Sequence, residues 1–358
     1  MLAVLTTISQ SPTKPPLLKQ VAPDANELFA ARRRLHRKAA SIVAVTVSGY
    51  TGLVFVSLPV AFKVACAVLL IHGLIAVATG IMHDANHHAF STSPKVNRAL
   101  GYSGDFLGAS SWLWRQQHNV QHHHNTNVMG VDGDIDQQPF ARMSPEQPWR
   151  PWHRAQALYM WPLYGFLTLK WVLFGDFVSF FAASKGTLPM VKRPSAADFA
   201  KMVAGKVGHF AWAVAIPLTL YPWQQVAATY LAISWSVGFA LAIIFQLAHC
   251  VDRAEFIQPN PSVRLTGDDM MRHQLATTVN VAPASKLGVK YVGWLMGGLE
   301  FQIEHHLAPR VPHTFYPTLA KRVRSICAEN DLEYRTHFSV ISALRSHARW
   351  LHKMGQPS

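Results

Sequence analysis

From Val207 to Val251 the chain has no Asp, Glu, Lys or Arg, and two earlier stretches, Ser41 to Phe62 and Val64 to Met82, are equally free of charge. As helix, about 20 residues rise roughly 30 Å, the thickness of a bilayer's hydrocarbon core. Lipid offers no hydrogen bonds, so a crossing segment has to satisfy its own backbone, as a helix does. These runs therefore predict an all-α integral membrane protein. Only Lys63 separates the first two runs, and Leu58-Pro59-Val60 supplies a tight turn between them. In the third run, Tyr221-Pro222-Trp223 places a turn and interfacial aromatics at the middle. The expectation is two hairpins, with spans near 41–62, 64–82, 207–222 and 226–248.

Charge then orients them. Charged residues are 15% of the chain and hydrophobic ones 50%, yet the net charge is +14. A disordered chain has far less apolar content, and a nucleic-acid binder carries more total charge. Three dispersed cysteines, Cys66, Cys250 and Cys327, do not make a disulfide scaffold. Every basic residue except Lys63 lies outside the two proposed outer turns. By the positive-inside rule, both termini, the segment between the hairpins and the C-terminal region are expected in the cytoplasm, with the protein in a bacterial inner membrane. The segment 158–181 is interrupted by Lys170 and Asp176 and has Pro162 near its start, so it reads as an amphipathic interfacial helix, as does 97–113. Pro12, Pro15, Pro16 and Pro23 mark residues 1–30 as a flexible tail without a secretory signal. A membrane domain is expected over 31–350 and a short tail over 351–358.

Nine of the 19 histidines fall into three clusters: His83, His87 and His88; His118 and His122 to His124; and His305 with His306. Residues four apart share a helix face, so His83 and His87 can hold one metal together. His118 and His122 have the same spacing, and His123 points toward a second metal. His305 and His306 are expected to divide between the two. Imidazole suits zinc, copper, nickel and iron, and no cysteine lies near to make a thiolate site. A hairpin returns the chain to its starting face, so all three clusters should meet on one side of the bilayer. His249, ending the fourth span, and His273 can join them. Single histidines (His36, His153, His337, His347 and His352) are expected to have no such role, and His72 and His209 to pack within spans. A transporter would hold its sites near mid-membrane, whereas these clusters sit at span ends. A membrane cytochrome ligating haem through His72 and His209 is a further alternative.

HDANH at 83–87, HNVQHH at 118–123 and QIEHH at 302–306 resemble the three histidine boxes of membrane fatty acid desaturases. Gln302, in place of a first histidine, resembles the front-end and linoleoyl-type members. WRQQHN at 114–119, TN at 126–127, QLAHC at 246–250, HQLATTVN at 273–280 and HHLAPRVPH at 305–313 extend the likeness from about residue 30 to 350. The resemblance implies four membrane helices under a cytoplasmic helical cap holding a non-haem diiron site, with O2 as co-substrate. It implies His83, His87, His118, His122, His123, His249, His305 and His306 as iron ligands. His273 and Gln302 are further candidates near the metals, and Asp84, Asp132, Asp134, Asp136 and Glu304 are candidates to orient imidazole N–H groups. The implied partners are a fatty acyl chain (linked to lipid, CoA or carrier protein), membrane lipid and a separate electron donor. That donor is a ferredoxin, a rubredoxin-like protein, cytochrome b5 or a reductase, since the chain has no HPGG haem motif. Glu300 and Ala308 stand where relatives commonly carry Asn and Phe. A hydroxylase or acetylenase with the same iron site is the alternative reaction.

Overall fold

A computed structural model describes residues 17–188, 191–259, 265–281 and 286–357, and it is mostly helical. Two long helices, Ala25–Val54 and Val60–Asn86, form the first hairpin. The first begins at Ala25 because Asp24 and Glu27 close a reciprocal cap: Glu27 N donates to Asp24 Oδ1 at 2.8 Å and Asp24 N to Glu27 Oε2 at 3.0 Å. Pro59 precedes the second helix, where a fixed φ and a missing N–H cost nothing. Close approach explains the pairing. A Cβ on Gly49 would meet the Leu70 backbone nitrogen at 2.6 Å, so the two helices touch backbone to backbone.

The second hairpin joins Ala196–Phe210, continued by a π-helical turn and Ile216–Leu218, to Trp223–His249. Its turn is tied to that of the first hairpin. Lys63 Nζ donates to Leu53 O at 2.6 Å and to the Tyr221 hydroxyl at 2.8 Å, and that hydroxyl donates to Val54 O at 2.9 Å. The two turns therefore share one end of the bundle.

The helices are offset from the expected spans. The first ends at Val54, eight residues before Phe62, and the third begins at Ala196, before the charge-free run. Capping residues and turn prolines set these limits, whereas loss of charge does not. Three helices are long and apolar enough to cross a membrane: Val60–Asn86, Leu167–Lys185 and Trp223–His249. Leu167–Lys185 falls in the segment expected to lie at the interface. It forms one continuous helix because Lys170 and Asp176 do not break it. Asp176 Oδ2 instead meets Lys206 Nζ at 2.5 Å, a buried pair inside the protein.

The ends of the chain differ from the expected tails. Leu17–Val21 is helical, and Leu17 and Val21 pack with Met271, Leu275, Ile303 and Leu319. The C-terminal helix Val340–Met354 runs into the stretch expected as tail, and Trp149 Nε1 donates to Gly355 O at 2.9 Å. Between these ends, the short helices Gly267–Thr277 and Gln302–Leu307, the helix Tyr316–Glu329, and a two-residue parallel pairing of Asn280–Val281 with Thr336–His337 form the cap.

Candidate metal centre

Two of the three histidine clusters follow or occupy π-helical winding. Val77–Met82 leads into His83, and Arg115–His122 carries His118 and His122. In the second, His123 N donates to His118 O at 3.1 Å, five residues back. Such wide turns recur at functional sites because they re-aim side chains.

The histidines converge at the end of the bundle away from the tied turns. Ligand atoms of His83, His87, His118 and His305 lie within 4.8 Å of one another, as do those of His122, His249 and His306. His123 joins His305 and His306 in a third such group. His83 and His87 face one point, and His305 and His306 divide between the two groups, as their spacing predicts. His118 and His122 do not share a point: their Nδ1 atoms face one Asp pair, and their rings then serve different groups. Residues four apart do not align on a π-helical turn as they do on an α-helix, so the α-helical spacing rule fails here.

The rings are held from behind. Asp134 Oδ2 accepts from His118 Nδ1 at 3.1 Å, and Asp132 Oδ2 from His122 Nδ1 at 2.9 Å. That fixes the proton on Nδ1 and leaves Nε2 with its lone pair. Thr126 Oγ1 lies 3.2 Å from His306 Nδ1, and the Tyr316 hydroxyl 3.2 Å from His305 Nδ1. His249 is hydrogen-bonded by the Gln302 side chain. With these contacts made, the Nε2 atoms of His83, His87, His305 and His306 are buried with no hydrogen-bond partner among the described residues. Buried polar atoms rarely stay unpaired, and an all-imidazole set of unpaired lone pairs fits a borderline metal such as iron.

Electrostatics agree. Burial, reinforced by the crowding of neighbouring rings, holds His87, His118, His123, His305 and His306 well below the usual imidazole value, so they are neutral donors. For His122, desolvation pulls downward, but the Asp132 and Asp134 carboxylates overcome it and raise the group to about 9.

The remaining candidates separate. Asp84 orients an imidazole, but that of His313, whose Nδ1 donates to Asp84 Oδ2 at 2.9 Å. Glu304 faces no histidine; it accepts from Asn280 Nδ2 at 2.7 Å and from the Tyr334 hydroxyl at 2.9 Å, and burial raises it to about 7. Asp136 is exposed and accepts from Gln138 N and Gln147 Nε2, because its turn carries it past the cluster. His273 is buried with an unpaired Nε2 but joins none of the histidine groups found among the described residues. His153, His209 and His347 are buried and hydrogen-bonded elsewhere.

Sequence reasoning assigned no role to Trp114, Thr126, Asn127, His313 or Tyr316. The Trp114 ring lies 4.4 Å from that of His118 and 5.6 Å from those of His83 and His87, roofing the first group. Asn127 donates from its backbone to Asp132 and from its side chain to His249 O at 3.0 Å. The signal was present, since all but Tyr316 lie in motifs at 114–119, 126–127 and 305–313. Toward the tied turns, a cavity of about 220 Å³ opens between the helices, lined by Leu70, Leu74, Leu107, Val172, Trp212 and Val237.

Residues 57–338 match the sequence model of a family described as fatty acid desaturase. The chain is 34% identical over 308 residues to an sn-1 linoleoyl-lipid 6-desaturase of Synechocystis sp., covering 84% of this chain and 83% of the relative. It is 31% identical over 322 residues to the protein of that name from Arthrospira platensis, covering 89% and 85%. An acyl-lipid (8-3)-desaturase of Physcomitrium patens is 34% identical over 283 residues, covering 78% of this chain and 58% of the relative.

Proposed function

The chain belongs to the fatty acid desaturase family, and from that premise we propose that it desaturates the acyl chain of a membrane lipid at two iron ions held by its buried histidines. The observation that carries this reading is the set of buried, neutral imidazoles whose Nε2 atoms have no partner in the protein. His83, His87, His118 and His305 would hold one iron, and His122, His249 and His306 the other, with His123 beside both His305 and His306. When bound, the irons would supply the O2 activation needed to remove two hydrogens from adjacent methylenes, with electrons from a separate carrier.

The chain's own residues set the conditions for that chemistry. Asp132 and Asp134 fix the tautomers of His122 and His118, keeping Nε2 free. Trp114 covers the first group with an apolar face that excludes water. The apolar cavity between the helices suits a hydrocarbon tail. An acyl-lipid substrate follows the relatives, whose names specify linoleoyl-lipid and acyl-lipid.

Four spans, with termini and histidines cytoplasmic, complete the reading. The tie of Lys63 and Tyr221 supports it by putting both turns at one end, away from the basic regions. Single cysteines placed at Ser57 and Thr219 in a chain lacking its native cysteines should react with an impermeant thiol reagent on intact cells. A cysteine at Gln356 should react only after lysis, and the reverse labelling would refute this topology.

The activity is tested by expression in a host with simple lipids, followed by mass-spectrometric location of new double bonds. The expected product has lost two hydrogens, and His122→Ala abolishes it while leaving the protein soluble in detergent. A product that gains oxygen or loses four hydrogens would identify a different oxidation. Product formation by His122→Ala would refute the ligand assignment.

A further inference from the structure

A second cavity, of about 200 Å³, is lined by Asn86, His88, Arg98, Tyr102, Arg115 and Lys201. It adjoins the histidine centre through two short segments. Asn86 lies in the turn between His83 and His87. Arg115 follows Trp114, so one helical turn sets an indole against the histidine rings and a guanidinium at the cavity wall.

The cavity's cations are not neutralised from within. Two acids also line it, Asp105 and Asp198. Asp105 accepts from both the hydroxyl and the backbone of Ser111. Asp198 closes the cap of its own helix with Ser195 and lies 3.8 Å from Lys201. Neither acid is within ion-pair distance of Arg98 or Arg115, and no other acid among the described residues is either. The one hydrogen bond of the Arg115 side chain among the described residues runs from Nη1 to Asn86 Oδ1 at 3.1 Å. A guanidinium has five N–H donors in a fixed fork, so Arg115 has donors left for a ligand. His88, also at the wall, has φ of 62°, a left-handed conformation that costs energy for a residue with a side chain and is retained where a site requires it.

We propose that this cavity binds a phosphate group, through Arg98, Arg115 and Lys201, and that the phosphate belongs to the head of the lipid whose acyl chain reaches the histidines. The source of the phosphate rests on the acyl-lipid reading above; the anion site itself does not. Planar guanidinium forks match phosphate oxygens, and charge-assisted bonds of this kind are about twice as strong as neutral ones. A head held beside the turn that carries His83 and His87 would position the near end of the acyl chain relative to the histidines.

The test uses the full chain in detergent, titrated with dioctanoyl phosphatidic acid, dioctanoylglycerol and inorganic phosphate. Phosphatidic acid should bind about tenfold more tightly than the diacylglycerol, as expected for gain of a charge-assisted contact. The Arg98→Gln/Lys201→Gln double variant, changed at two surface positions, should lose that advantage. Arg115→Lys, which keeps the charge and removes the fork, should lose part of it. Inorganic phosphate binding as tightly as the lipid, with the same loss in the variants, would support the anion site and identify free phosphate as its occupant. Equal binding of phosphatidic acid and diacylglycerol, or affinities unchanged in both variants, would overturn the proposal. New double bonds are assayed in parallel in the expression host. Charge-dependent binding without product would refute the desaturase reading and leave the anion site standing; product without charge-dependent binding would refute only the site.

Discussion

Asp132 is buried and accepts three hydrogen bonds: from His122 Nδ1 at 2.9 Å, from Asn127 N at 2.8 Å and from Asp134 N at 3.0 Å. It thus fixes one ring of the second histidine group and the loop that reaches back to His249. Asp132→Asn removes the charge that holds the His122 proton on Nδ1, and loss of such a partner typically lowers metal affinity about 10- to 100-fold. Competition with a chelator should show a fall of that size for Asp132→Asn and almost none for Asp136→Asn, since Asp136 contacts only Gln138 and Gln147. Equal effects would remove Asp132 from its role. The sequence grouped these acids by proximity along the chain and could not separate them. Asp132, Asp134 and Asp136 alternate through a single 3-10 turn at Gly133–Ile135, and the direction each takes depends on that turn.

At the level of elements, the hairpins were legible because charge and turn prolines are local signals. The tilt of His118 away from His122 was not, because π-helical winding leaves no mark on residue spacing. The start of the first helix at Ala25 was available in the Asp24–Glu27 cap but was masked by the prolines around it. Backbone contact between helices is likewise invisible without the partner. Gly238 on the last long helix packs on Gly165, and a Cβ there would meet the Gly165 carbonyl oxygen at 2.6 Å. Gly238→Ala therefore forces the helices apart at a buried contact, at a cost of about 1–3 kcal/mol. Its thermal unfolding in detergent should begin several degrees lower than that of the parent; an unchanged midpoint would mean that the contact is looser than it stands here.

Across the whole molecule, two hairpins bind their turns together at one end and gather histidines from four separate stretches at the other. His83 and His249 end long helices, His118 to His123 follow the first hairpin, and His305 and His306 come from the cap. Neither group is complete without residues from both sides of the second hairpin. That arrangement explains how apolar runs and a histidine surplus belong to one design: the membrane part presents an acyl chain, and the cap completes the donor set. Metal analysis of the purified chain tests this most directly. The geometry predicts two iron ions per chain, with loss of metal in His122→Ala. A single metal ion per chain, zinc in place of iron, or full iron retention in His122→Ala would contradict it.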